Sequence, residues 1–478
     1  MTIRRDTGYN LLGQLAPLAL SLLTIPLYLR LIGEARFGVL ALMWLFFGYM
    51  GLFDLGVGQA TVRQLSRSDR ATPTEAAQVL WTALLMSLGL GLVGALVAGL
   101  LGTWFFGHHT AVQEGLRAEL LAALPWAVIV VPTVTLAGVL NGGLQARGAF
   151  AEINSIGAVT NALVLLAPMA VAATAGANLP GLVAAVAVAR LLVLLLLFWR
   201  CWRRYRAAAP LLVDRHTALQ LLSFGGWATL SAGVGPLLVA MDRFLIGAHL
   251  GAREVSLYVI PFQLAERTTA LSSALGYALF PRFAACTLED DRQQLAMQGM
   301  HVLAVWTSPL AAVGLLLSGP FLAWWISPEL ALQSTLVAQV LCFAFWISSL
   351  AMVPYTKLLA TGRPDLVAKS HMVQLLPYVS LLYAALHFWG LVGAAFAFAA
   401  RVVVDFLLLS HWAGLLAATF RFLATPCALL IATLGVASHG TLPPAWRWAL
   451  GCTLLLALAV WSLAQARHRI PFSGRSHL

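Results

Sequence analysis

Apolar runs of about 20 residues recur along the whole chain, and no other feature limits the possible folds as strongly. A run of this length, coiled as an α-helix, crosses the roughly 30 Å hydrocarbon core of a bilayer. The composition agrees, because 60% of the 478 residues are hydrophobic and 10% are charged, whereas an ordinary soluble domain is about 25% charged. We therefore predict an all-α polytopic membrane protein.

Short loops separate fourteen apolar segments, and no loop is long enough to hold a folded extramembrane domain. The first segment is predicted to be a retained span, because no small-residue cleavage site follows it. The predicted spans are 10–31, 37–58, 76–106, 119–140, 153–175, 180–199, 217–248, 255–283, 299–318, 333–359, 369–388, 390–412, 422–440 and 446–465.

Basic residues predict the orientation of these spans. With the N-terminus in the cytoplasm, 20 of the 29 Lys and Arg fall in cytoplasmic loops or tails and five in outer loops, as the positive-inside rule requires. The formal charge of +11 is therefore mainly a topology signal. Its spread over many short loops argues against nucleic-acid binding.

Two pairs of similar loops predict an internal duplication. LQARG (144–148) and LLATG (358–362) are 214 residues apart, while Gly33 and Gly251, in LIGEARFGVL and HLGAREVSLY, are 218 apart. Parallel repeats are a common transporter plan, in which the substrate moves through the gap as one half rocks against the other. We predict two six-helix bundles in parallel repeat, at 1–216 and 217–412, and an extra helix pair with a basic tail at 413–478.

Three stretches resemble a known transporter family. PLYLRLIGEARFGVLAL (26–42) and FDLGVGQATVRQLSR (53–67) are similar to the opening of bacterial polysaccharide-export flippases of the O-antigen (Wzx) type. DRFLIGAHLGAREVSLYVIPFQLAE (242–266) is similar to the start of their second half. The resemblance covers about residues 8 to 412. These flippases belong to the multidrug/oligosaccharidyl-lipid/polysaccharide (MOP) superfamily.

The resemblance implies a flippase of the bacterial inner (cytoplasmic) membrane, with both termini in the cytoplasm. It implies that an undecaprenyl-diphosphate-linked oligosaccharide moves from the inner to the outer leaflet by alternating access, for surface polysaccharide biosynthesis. The implied partners are this lipid-linked oligosaccharide, membrane lipids and proteins of the polysaccharide assembly pathway. Spans 13 and 14 resemble the extra pair of longer members, including the lipid II flippase type, where the pair helps to accommodate the lipid tail.

Arginines inside the spans are the candidate substrate-binding residues, because a charge at the bilayer centre costs roughly 2.5–3.5 kcal/mol and usually has a function. A guanidinium group stays protonated and binds phosphate oxygens in a bidentate manner, which suits a diphosphate. The alternative is that these arginines pair with acids and stabilise packing. The candidates are Arg190, Arg243, Arg267 and Arg401.

Acidic residues near these arginines are candidates for ion coupling, since a buried acid can exchange a proton during a transport cycle. Asp242 and Glu266 come first, and Asp405 next. Asp405 is four residues after Arg401, so the two should share one helix face. Asp242 and Glu266 each precede an arginine directly, so the neighbours should point in different directions and find partners on other helices. A separate pair, Asp54 and Arg63, is predicted to form a gate latch.

Several function classes are excluded or left as alternatives. The chain has no Walker motif, its five cysteines form no CxxC pair, and His108-His109 lacks a spaced third ligand, so we expect no cofactor, no metal site and no enzyme constellation. A multidrug exporter for organic cations, from the same superfamily, would need an acidic cavity. A membrane-embedded polysaccharide polymerase or ligase would usually carry a large outer loop, and a scaffold protein would tolerate loss of the intramembrane charges.

Overall fold

The computed structural model describes residues 3–67, 73–108, 114–205, 214–438 and 443–468. Within these ranges the chain forms α-helices and short turns and contains no strand, which confirms the predicted all-α class. In chain order the helices are α1 (Ile3–Tyr49), α2 (Val57–Arg67), α3 (Pro73–His108), α4 (Glu114–Ala146), α5 (Phe150–Thr174), α6 (Leu179–Tyr205), α7 (Arg215–His249), α8 (Ala252–Glu266), α9 (Ala270–Ala285), α10 (Glu289–Trp325), α11 (Pro328–Ala360), α12 (Pro364–Trp412), α13 (Leu416–Ser438) and α14 (Pro444–His468).

Ten helices of the described ranges have the length and apolar composition needed to cross a bilayer, and the protein is a multi-pass membrane protein. Two of them hold two predicted spans each. The helix α1 bends at Gly33, between spans 10–31 and 37–58, and α12 bends at Gly390, between spans 369–388 and 390–412. The helices α8 and α9 have 15 and 16 residues, so each is shorter than the roughly 20 residues that a bilayer-crossing helix needs.

Two 3₁₀ segments interrupt spans that the sequence predicted to be continuous. Met50–Asp54 separates α1 from α2 within span 37–58, and Arg267–Thr269 separates α8 from α9 within span 255–283. These are the second spans of the two predicted bundles, so the interruption recurs at the corresponding place. A 3₁₀ stretch inside a helix often marks a functional hinge or local strain.

The two similar pentapeptides end their helices in the same way. The glycine of LQARG has a φ of 69° and that of LLATG a φ of 75°, in the left-handed region that glycine adopts without strain. The next N–H then donates to a carbonyl oxygen five residues earlier, Ala149 to Leu144 at 3.0 Å and Arg363 to Leu358 at 2.9 Å. Matching caps of this kind are what a duplicated unit would produce.

The chain divides into two compact units, Met1–Ser256 and Leu257–Leu478. In the first unit, α4 packs against α2, α3 and α6. Helix α7 belongs to the same unit because it packs against α1, α2 and α3. In the second, α11 packs against α9, α10 and α12. The unit boundary lies within α8 and reflects packing, whereas the predicted boundaries at 216 and 412 reflect the duplication and stay a prediction.

The C-terminal helix pair is part of the second unit and packs against α10. The Nε2 atom of His301 on α10 lies 3.2 Å from the carbonyl oxygen of Gln465 on α14. The same imidazole ring stacks on Phe422 of α13, with ring centroids 5.0 Å apart. One side chain therefore ties both helices of the pair to α10.

Candidate functional site

A partly open cavity of about 390 Å³ lies within the first unit, where the first 3₁₀ segment meets α4, α5 and α6. Small residues on three of these elements, Gly51, Gly138 and Gly157, leave the space open. The polar side chains that line the cavity are those of Asp54, Thr133, Asn141, Thr160, Asn161 and Arg190. The sequence-predicted residues Asp54 and Arg190 thus share one cavity, together with amide and hydroxyl groups.

Arg190, on α6, is the cation of this cavity. Its guanidinium carbon lies 5.9 Å from the centroid of the Phe47 ring, within cation–π range. Its Nε is buried and has no hydrogen-bond partner among the described residues, where it also forms no ion pair. Since a buried donor is costly to leave unpaired, this nitrogen is suited to bind an acceptor that enters the cavity.

Asp54 ends the first 3₁₀ segment and stabilises the start of α2. One carboxylate oxygen accepts a hydrogen bond from the Gly58 N–H at 2.8 Å, and the other accepts one from Ser87 Oγ of α3 at 2.9 Å. Within the described chain, Gly58 and Ser87 are thus the hydrogen-bond partners of the Asp54 carboxylate. Arg63, on α2, is exposed. A gate role for Asp54 and Arg63 stays a prediction.

Arg401, on α12 of the second unit, lies in a setting similar to that of Arg190. Its guanidinium carbon is 5.2 Å from the Phe398 ring centroid and 5.6 Å from that of Tyr378, and its Nε is buried without a hydrogen-bond partner in the described ranges. The two arginines are 211 residues apart, in the sixth span of each predicted bundle. The sixth span of each predicted bundle therefore holds an arginine over an aromatic ring with a buried Nε.

Asp405 does not pair with Arg401, although four residues separate them on α12. Its Oδ1 accepts hydrogen bonds from Ser370 Oγ at 2.9 Å and from Gln374 Nε2 at 2.8 Å. Both partners lie on the first half of α12. The second half, which carries Asp405, folds back against it beyond the bend at Gly390. The carboxylate is thus satisfied by neutral donors, and the Arg401 guanidinium keeps its donors for another group.

Asp242 and Arg243 are buried on α7, with 0% and 7% of their surface exposed. The sequence predicted that they point in different directions, and here the prediction was wrong. The backbone N–H of Arg243 donates to Asp242 Oδ1 at 2.7 Å. The side-chain Nε of Arg243 lies 3.9 Å from the same oxygen. Neither side chain lines the cavity of the first unit.

Glu266 and Arg267 lie at the second interruption, where α8 ends and the 3₁₀ segment begins. Both side chains are exposed, and neither forms a hydrogen bond or ion pair with the described residues. Thr268 and Thr269 each donate a hydrogen bond of 2.7 Å to a carbonyl oxygen three residues earlier. Such local bonds compete with the helical hydrogen-bond pattern at the break.

Sequence reasoning missed the neutral polar residues of these sites. Asn141 and Asn161 line the cavity, Ser87 holds Asp54, and Ser370 and Gln374 hold Asp405. Four of the five lie inside predicted apolar spans, and Asn141 directly follows the span 119–140. A neutral polar residue at such a position is itself a signal.

Comparison with known sequences identifies the family of the chain. The family described as "Polysaccharide biosynthesis protein" matches residues 3–286, more than half of the chain. A Shigella flexneri protein named "Putative O-antigen transporter" is 25% identical over 409 residues, which are 86% of this chain and 97% of that relative.

Solved structures show where the fold recurs. The lipid II flippase MurJ in its inward closed conformation has a TM-score of 0.73 at 11% identity, over 96% of this chain and 99% of that one. An inward-facing multidrug resistance MATE transporter of the MOP superfamily has a TM-score of 0.64 at 14% identity, over 86% and 95%. At these identities the likeness concerns the fold. Together with the match over residues 3–286, it shows that the chain belongs to the polysaccharide biosynthesis protein family and has the fold of MOP superfamily transporters.

Proposed function

We propose that this protein is an alternating-access flippase, and not an enzyme, that moves an undecaprenyl-diphosphate-linked oligosaccharide from the inner to the outer leaflet of a bacterial inner membrane. Family membership and the O-antigen transporter name of the Shigella flexneri relative support the substrate class. The fold shared with MurJ supports the type of movement.

The observation that carries the proposal is the pair of stacked arginines, Arg190 and Arg401. Each guanidinium lies over an aromatic ring, and each has a buried Nε without a protein acceptor among the described residues. A diphosphate offers several charged oxygens, which guanidinium groups bind in a bidentate manner. Arg243 and Arg267 remain proposed contributors. The Asn and Thr side chains beside Arg190 could hydrogen-bond sugar hydroxyls.

An apolar groove of about 490 Å³ could hold the lipid tail of such a substrate. It lies within the second unit, between α11, α12 and α13, and aromatic and aliphatic side chains such as Trp346, Phe406 and Phe420 line it. A polyprenyl tail is uncharged, so a groove of this composition suits it. The groove gives α13, the first helix of the C-terminal pair, a place in the proposed cycle.

Asp242, Glu266 and Asp405 remain our candidates for coupling transport to an ion. Both termini are proposed to lie in the cytoplasm, as the distribution of basic residues predicts. Membrane lipids and proteins of polysaccharide assembly are the proposed further partners.

The test replaces Arg190 and Arg401 by Gln, singly and together, in a strain that lacks its own flippase. Each change removes a charge while keeping a polar side chain, so we expect surface polysaccharide to fall at least about tenfold, as loss of one charge-assisted contact implies. Protein amount in the membrane is measured in parallel. Arg421→Gln, on an exposed arginine of α13, is the matched control and should leave the polysaccharide unchanged.

Normal polysaccharide from Arg190→Gln/Arg401→Gln at equal protein amount would contradict the proposal. The rival is a multidrug antiporter. It predicts that the wild-type chain raises resistance to organic cations and that polysaccharide does not depend on the chain. Either result would replace the flippase assignment.

A further inference from the structure

The end of α6 carries basic and aromatic side chains that the proposed transport does not use. Trp199 is 44% exposed, and the guanidinium carbons of Arg200 and Arg203 lie 5.1 and 4.4 Å from the centroid of one of its rings. Neither guanidinium forms an ion pair among the described residues, whereas Arg204 pairs with Glu152 of α5. Two cations are thus held against one indole without a counter-charge.

A second set of aromatic rings lies beside this pair. Trp202 packs against Phe198 of α6 and Trp81 of α3, with ring centroids 6.0 and 5.8 Å apart. Phe198 and Trp202 are both partly exposed. Aromatic side chains with a polar tip favour the boundary between hydrocarbon and headgroups, so this end of α6 is expected at that depth.

An exposed apolar stripe along α6 leads to these rings. Its members, at helical spacing, are Val188, Leu191, Leu192 and Leu195. At a rise of 1.5 Å per residue, Leu191 and Trp202 are about 16 Å apart, close to half of the roughly 30 Å hydrocarbon core. A lipid tail lying on the stripe would therefore bring its phosphate next to Arg200 and Arg203.

We propose that Arg200, Arg203 and Trp199 form a binding site for the headgroup of an anionic phospholipid. The indole holds both guanidinium groups in place, and each can donate paired hydrogen bonds to phosphate oxygens. A phosphatidylglycerol-type headgroup brings a net negative charge. A phosphatidylcholine headgroup also brings a cation beside two arginines, which lowers its affinity. None of the three residues lines the cavity of the first unit, so the site does not depend on the proposed transport.

The test is native mass spectrometry of the purified full-length protein, delipidated in detergent and titrated with phosphatidylglycerol or phosphatidylcholine. Wild type should bind one phosphatidylglycerol at least about tenfold more tightly than phosphatidylcholine, which corresponds to about 1.4 kcal/mol. Arg200→Gln/Arg203→Gln should lose that preference. Arg421→Gln, which removes one exposed charge elsewhere, should keep it.

Three results would overturn the site: equal phosphatidylglycerol binding by wild type and Arg200→Gln/Arg203→Gln, equal affinity for both lipids, or displacement of phosphatidylglycerol by inorganic phosphate. Preferential binding of undecaprenyl phosphate over phosphatidylglycerol would also overturn it and assign the residues to substrate capture.

If the double variant does not fold, Trp199→Leu provides the test. Loss of the cation–π contacts should then weaken phosphatidylglycerol binding about threefold or more, and unchanged binding would refute the proposal.

Discussion

At the scale of single residues, Asp54 illustrates how an acid is kept in an otherwise apolar segment. It is the last residue of a 3₁₀ segment and precedes two residues with positive φ, Leu55 at 46° and Gly56 at 69°. Leu55 is the non-glycine residue with positive φ in the described chain, a conformation that costs free energy. The carboxylate holds this turn through the Gly58 N–H and the Ser87 hydroxyl. Asp54 is therefore a structural anchor as well as part of the cavity wall.

Replacing Asp54 by Asn should lower the stability of the protein. One carboxylate oxygen becomes an NH₂ group, which cannot accept a hydrogen bond, so the bond from either Gly58 or Ser87 is lost. Hydrogen bonds to a charged group contribute about 1.5–3 kcal/mol. We expect a lower thermal unfolding midpoint for Asp54→Asn in detergent.

Ser87→Ala removes one neutral donor and leaves the bond to Gly58. The decrease in the unfolding midpoint should accordingly be smaller than for Asp54→Asn. Equal midpoints for Asp54→Asn and wild type would show that the carboxylate does not hold the turn.

At the scale of helices, the start of α8 lies very close to the segment of α1 beyond the bend at Gly33. A Cβ atom added to Gly38 would lie 1.7 Å from the carbonyl oxygen of Ala252, so the two backbones meet with no room for a side chain. Beside this contact, Arg253 Nε donates to Glu34 at 2.6 Å. Small residues permit such approaches between membrane helices, where packing has to replace the hydrophobic driving force.

Gly38→Ala should separate these two helices and destabilise the first unit. Overpacking a tight contact typically costs about 1–3 kcal/mol, and here the obstacle is backbone, which cannot rotate away. The measurement is the thermal unfolding midpoint in detergent. Gly48→Ala is the matched control on the same helix, because nothing lies within 4 Å of its added Cβ. A Gly38→Ala midpoint equal to that of Gly48→Ala would contradict the close packing.

At the scale of the whole molecule, helices lie at the predicted spans, two of which are interrupted by 3₁₀ segments. The orientation in the membrane still depends on the distribution of charges. Trp446, at the start of α14 and 64% exposed, is predicted to lie outside. Asp365, at the start of α12 and exposed, is predicted to lie in the cytoplasm. The two positions therefore report on opposite faces of the membrane.

Single cysteines at these positions, in a chain without its five native cysteines, should react differently with a membrane-impermeant maleimide. Trp446→Cys should be labelled in intact cells, and Asp365→Cys only after the membrane is permeabilised, because the positive-inside rule places the basic loops in the cytoplasm. Labelling in the reverse pattern would invert the topology and with it the proposed direction of transport.

The sequence alone determined the membrane class, the approximate positions of the spans and the places where α1 and α12 are divided into two spans each, but not the two 3₁₀ interruptions. Hydrocarbon forces each crossing segment to be apolar and to satisfy its backbone hydrogen bonds internally, and both demands are local to the segment. The resemblance over 26–42, 53–67 and 242–266 likewise led to the family that the comparison confirmed.

Only the tertiary structure decided which charges pair and which groups share a cavity. Asp54 binds Ser87, 33 residues later, and Asp405 binds Ser370 and Gln374 rather than Arg401. Lipid tails are as apolar as a protein core, so these spans are hydrophobic on every face and their sequence does not reveal how each helix is rotated. The neighbours of an intramembrane charge are fixed by that rotation, and therefore only by the packing of the helices.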